Sequence, residues 1–110
     1  MQSILTSIKK QLGIMEDYDA FDDVLIEHIN SAFMVLTQLG VGPSEGFIIR
    51  DATAVWSDFL SNTIKLEAVK TYIGHKVRLM FDPPQSSAVM EAINRTISEL
   101  EFRLNVAADN

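Results

Sequence analysis

The stretch "KVRLMFDPPQSS", residues 76–87, sets an apolar and basic helix-forming run directly against two consecutive prolines. Pro83 lacks a backbone N–H, and its ring drives Asp82 out of helical conformation, so a helix arriving from upstream must stop there. Pro84 stiffens the exit, and Ser86 or Ser87 offers an oxygen to cap the helix that follows. On both sides of this corner, apolar residues recur at helical spacing. Leu66, Val69, Ile73, Val77 and Met80 are separated by three, four, four and three positions, and Val89, Ile93, Ile97, Leu100 and Leu104 by four, four, three and four. Two such seams joined by so short a link pack as an antiparallel helical hairpin. Asp82, Pro83 and Pro84 are therefore read as a structural corner. Gly74, inside the first of the two helices, costs about 1 kcal/mol relative to alanine, which a close helix crossing would explain.

Helical patterns also dominate the first half. Ile4 or Leu5, Ile8 and Leu12 form a stripe over Ser3 to Leu12, with Gly13 as its stop. Phe21, Leu25, Ile29, Ala32 or Phe33, Leu36 and Leu39 predict a longer helix from near Asp19 to Leu39. Its opening acids suit the positive end of the helix dipole, and Gly40 suits its C-terminal cap. Three glycines and a proline within residues 40–46 then forbid regular helix. Phe47, Ile48 and Ile49 favour a short extended segment near residues 46–50, or half of a small hairpin. Asp51 or Thr53 can cap a short helix carrying Val55, Trp56, Phe59 and Leu60, with Trp56 as a core anchor. The expectation is an all-α fold, a bundle of about four to five helices ending in the hairpin.

At 110 residues the chain is one domain, long enough to bury a core without covalent staples. The absence of cysteine excludes a disulfide scaffold and thiolate metal sites, and fits a reducing cytoplasm. No apolar run is long enough to span a membrane, and the N-terminal lysines follow the apolar residues, the reverse of a signal peptide. A net charge of −6 weighs against a protein built to grip nucleic acid, whose affinity comes from neutralising phosphates. The charges are segregated. Glu16, Asp17, Asp19, Asp22, Asp23 and Glu27 form a stretch without a base, whereas Lys65, Lys70, Lys76 and Arg78 are opposed only by Glu67. These are either solvated or mutually paired faces of one monomer, or the halves of a head-to-tail contact in which Asp19, Asp22, Asp23 and Glu27 meet Lys70, Lys76 and Arg78 of a neighbour.

Chemistry finds little support in the sequence. Asp19, Asp23 and Glu27 share a helix face beside His28, but no second histidine or cysteine stands at zinc spacing. A calcium loop counted from Asp17 would put Asp22 where glycine is needed and His28 where the bidentate acid belongs. His75 has no nucleophile recognisable beside it, and there is no nucleophile elbow, phosphate loop or dinucleotide fingerprint. The expectation is a non-catalytic chain with no cofactor and no metal. A helix-turn-helix reading, with the basic helix in a major groove, is weakened by the excess of acids and by that helix's apolar stripe. A small DNA-associated subunit for packaging or regulation is the alternative to an assembly component.

"LEAVKTYIGHKVRLMFDPPQSSAVMEAINRTISELEFRLNV", residues 66–106, resembles the C-terminal half of tailed-phage head–tail connector (adaptor, or neck) proteins. "FDDVLIEHINSAFMVLTQLGVGP", residues 21–43, resembles their long first-half helix and its exit. The resemblance implies a structural subunit of the virion neck, assembled in the host cytoplasm as a ring of copies of itself, commonly dodecameric. Such a ring docks beneath the portal protein, meets a downstream neck or tail-completion protein, and extends the channel through which DNA passes without sequence-specific binding. No membrane partner is implied. Residues 1–105 would form the connector domain and 106–110 its C-terminal tail. The segment turned toward the portal would comprise Arg103, Leu104, Asn105, Val106, Ala107, Ala108, Asp109 and Asn110, of which Leu104 still belongs to the helix seam.

Overall fold

The computed structural model describes residues 2–108. Among the described residues five helices follow one another: α1 (Ile4–Gln11), α2 (Asp22–Gln38), α3 (Trp56–Phe59), α4 (Thr63–Phe81) and α5 (Ser87–Ala108). The all-α bundle expected from the periodicity is the observed fold. α4 is its centre: α2 packs on one side, α5 on another, and α1 touches both α2 and α4. The seams supply most of the core, although Met80 and Val89 at the corner are exposed and Tyr72 joins it from outside the predicted stripe. Leu25, Ile29, Phe33 and Leu36 of α2 and Val69, Tyr72, Ile73 and Val77 of α4 are fully buried, with Ile4 and Ile8 of α1. Each such aliphatic or aromatic side chain contributes about 1.5–3 kcal/mol by leaving water. α5 offers Ile93, Ile97 and Leu104 to the same core, a narrower stripe that suits a helix with α4 as its main neighbour.

The corner behaves as its sequence requires. α4 ends at Phe81, and Asp82 leaves helical conformation at φ −148°, ψ 69°. Ser86 Oγ accepts from the Val89 backbone N–H at 3.3 Å, capping α5. The hairpin therefore forms about Asp82, Pro83 and Pro84. α1 is likewise capped by Ser3, whose side chain accepts from the Thr6 backbone N–H, and stopped at Gly13, where φ is +77°.

Three local expectations are corrected. α2 begins at Asp22 rather than near Asp19, because residues 15–21 fold into turns that bring Glu16 and Asp22 onto Lys9. The β-prone segment makes neither strand nor hairpin among the described residues. Asn30 of α2 takes the place of a strand partner, with its Oδ1 accepting from Ile49 N–H at 2.8 Å and its Nδ2 donating to Ile49 C=O at 2.9 Å. That clamp leaves Ile49 buried and Ile48 exposed. α3 is capped by neither Asp51 nor Thr53. Asp51 closes its own turn on the Thr53 N–H, while Asp58 accepts from the Val55 N–H at 2.9 Å at the start of α3. Trp56 is the core anchor expected, 2% exposed, and its Nε1 donates to Ser7 Oγ at 2.9 Å.

Candidate functional site

The antiparallel course of α2 and α4 decides where the segregated charges lie. Phe21, at the start of α2, meets Phe81, at the end of α4, edge to face with ring centroids 5.1 Å apart, and Tyr18 meets Phe21 in the same edge-to-face manner at 5.5 Å. The acidic stretch, the basic end of α4 and the proline corner therefore share one end of the bundle. Asp82 and Pro83 are exposed there, and Pro84 is half-buried.

The predicted charge set divides in two. Asp22 and Lys70 are engaged within the chain. Lys9, buried with its side chain 3% exposed, donates to the Glu16 carbonyl at 2.9 Å and stands 2.9 Å from Asp22 Oδ1, an ion-pair contact off the hydrogen-bonding direction. Lys70 donates to Glu67 Oε2 at 3.2 Å and lies 5.9 Å from the centre of the Trp56 ring, on its face. Asp19, Asp23, Glu27, Lys76 and Arg78 have no ion-pair partner among the described residues. All are exposed except Lys76, which is half-buried.

The predicted portal-facing segment lies at the other end, and much of it is docked. Leu104 is 3% exposed, Asn105 Nδ2 donates to Leu39 C=O at 3.2 Å, and Arg103 pairs with Glu99 at 2.8 Å. Ala107 and Ala108 are half-buried. α5 crosses the boundary expected between residues 105 and 106 without a break, because Ala108 settles against Gly40, whose φ of +85° ends α2 and leaves no side chain in the way. Val106 is 45% exposed. Asp109 and Asn110 lie outside the described residues.

Groups with titratable chemistry sit in packing roles. Tyr72 is fully buried, and its hydroxyl donates to Glu101 Oε2 at 2.7 Å. Burial first, then that hydrogen bond and the carboxylate's charge, push the phenol far above its ordinary range. His75 is held below its usual value by burial and by the nearby Arg78 guanidinium, which favours the neutral imidazole. Among the described residues no cluster of three or more His, Cys, Asp or Glu is placed to hold a metal, and no helix is long and apolar enough to cross a membrane.

Two surface features are not marked by the helical seams. A groove of about 550 Å³ runs between α2 and the segment after it, walled by Met34, Phe47 and Ile48 with Glu45. A second, about 340 Å³, runs between the first turns of α4 and the last turns of α5, walled by Ile64, Leu100 and Leu104 with Lys65. The available signal was negative: Met34 and Ile64 are apolar residues that fall outside the helical stripes.

Comparison with curated proteins and with solved structures finds no match to this chain. The sequence profile of one family, described as phage connector protein, matches residues 4–110, from the first residue of α1 through the last turn of α5 and beyond. The chain therefore belongs to the phage connector protein family.

Proposed function

We propose that the chain is a repeating subunit of the virion neck. Copies of it close into a ring beneath the portal protein, extend the DNA channel and receive the downstream neck or tail-completion protein. The observation that carries this reading is the set of charges without an ion-pair partner among the described residues, on a chain matched almost end to end by the connector family: Asp23 and Glu27 on α2 with Asp19 in the turns before it, Lys76 and Arg78 on α4. A ring is generated when two different surfaces of one chain meet, and opposite charges on different elements supply such surfaces. A net charge of −6 also suits a channel wall along which DNA slides without adhering. In this reading the end of α5 and residues beyond it face the portal.

The test adds the purified chain to portal-bearing heads that lack a tail and follows cosedimentation, with cryo-EM averages of the neck. A ring of this chain below the portal is expected, and a chain deleted from Val106 to Asn110 should keep its helical fold while losing stable attachment. Full-length chain that neither cosediments with such heads nor appears at the neck, but is retained on DNA in a salt-sensitive manner, would replace this reading with a DNA-associated one.

A further inference from the structure

The two apolar grooves carry opposite charge. In the first, Met34 is 60% and Ile48 56% exposed, Phe47 walls the groove, and Glu45 is the only ionised side chain on its walls. In the second, Ile64 is 85% exposed, the most exposed large apolar side chain among the described residues, and the ionised side chains on the walls are Lys65 and Arg103. Arg103 is held by Glu99, so Lys65 supplies the uncommitted charge, and neither Lys65 nor Glu45 has an ion-pair partner among the described residues.

Resting on the assembly reading above, we propose that these grooves are the two halves of one contact between copies of this chain. Ile64 of one copy seats between Met34, Phe47 and Ile48 of the next, and Lys65 faces Glu45. The charges choose this occupant. Pairing the first groove with itself across a two-fold axis would bring two Glu45 carboxylates and no base into one contact, and pairing the second with itself would bring in two Lys65 ammoniums and no acid. Seating the first groove on the second buries apolar surface on both sides while matching charge. It also leaves each copy with one groove free for another neighbour, which is the condition for a ring.

The chain has no cysteine, so introduced thiols report the contact directly. Ile48→Cys and Ile64→Cys chains are mixed and oxidised. The expected product is a 48–64 linked heterodimer in excess of either homodimer, and a chain carrying both substitutions should give a ladder of higher oligomers. Ile64→Glu should weaken self-association about tenfold or more, as loss of a central anchor does, without changing the circular dichroism spectrum. Glu91→Cys, on the exposed face of α5, is the control partner for Ile64→Cys. Oligomers in which the 48–64 link is no more frequent than the 91–64 link overturn this interface and leave the ring reading standing. A chain that stays monomeric both alone and on portal-bearing heads overturns both.

Discussion

Holding the Lys9 ammonium at 3% side-chain exposure carries a desolvation cost, offset by the Asp22 carboxylate and the Glu16 carbonyl, each 2.9 Å away. Those two contacts tie the turns of residues 15–21 to α1 and set the point at which α2 begins. Lys9→Ala should therefore lower stability by about 2 kcal/mol, the order expected when a partly buried charge loses its partner. Adding Asp22→Ala should recover part of that loss, read by denaturant midpoint in a double-mutant cycle; strictly additive losses would show that the pair is not coupled. The glycines separate by the same attention to neighbours. At Gly42, φ is +84° and an added Cβ would overlap the Phe59 ring, which is itself packed on Phe33. Gly42→Ala should cost about 1–3 kcal/mol for the backbone strain alone. At Gly74 the nearest atoms are those at the end of the Gln11 side chain, whose Nε2 donates to Lys70 C=O at 3.3 Å and can swing away. Gly74→Ala should be neutral or stabilising by up to about 1 kcal/mol, the helix propensity it gains. A melting curve in which position 74 is the more damaging of the two would reverse this ordering.

The α4–α5 hairpin has an internal clasp, the Tyr72 hydroxyl on Glu101. The phenol is neutral in the fold and its pKa is raised, so the clasp contributes fully below the unfolded value of about 10 and is lost as pH rises toward the folded one. Tyr72→Phe should cost about 1.5–3 kcal/mol near neutrality, as loss of a hydrogen bond to a charged acceptor does. It should also flatten the alkaline fall in melting temperature; an unchanged alkaline limb would show that Tyr72 does not titrate with unfolding. The hairpin itself was legible because periodic seams and a proline doublet are local signals. Asp82 had to leave the helix whatever it packed against. The segment from residue 40 to 55 was not legible, because its course is set by a side chain far away in sequence: Asn30 holds Ile49 by both backbone groups, which no pattern within residues 46–50 encodes. The same holds for α3, where local polarity nominated Asp51 and Thr53, yet Asp58 bonds the Val55 N–H from inside the helix. Of the candidate site, segregation of charge was visible in the sequence. Which members are engaged internally was not, since nothing in the sequence sets Lys9 against Asp22 until α1 and α2 are folded together.

Placed on the folded bundle, α2 and α4 each carry both uncommitted charges and a groove residue. Glu27 and Met34 are seven residues apart on α2, about two turns, so the acid and the groove residue share a face. Lys65 and Lys76 are eleven apart on α4, about three turns, and share a face in the same way. Because α2 and α4 run antiparallel, a neighbour meeting both elements would find charge at the proline-corner end and apolar surface at the other. The two parts should contribute differently. Exposed ion pairs are worth only about 0–1 kcal/mol each, so Asp23 and Glu27 against Lys76 and Arg78 would orient the encounter, while the seat of Ile64 would hold it. Reversing Lys76 and Arg78 to glutamate should therefore slow association most at low salt, with the deficit shrinking as salt screens the pairs. Reversing Asp23 and Glu27 to lysine in the same chain should restore part of the rate. Ile64→Glu should instead raise dissociation and respond little to salt. Stopped-flow light scattering across a salt series separates these outcomes. A double reversal with no rescue would remove the charge pairing and leave the apolar seat as the sole specified contact. Equal salt dependence for the charge-reversed and Ile64→Glu chains would show instead that orientation and adhesion are not divided between the two ends.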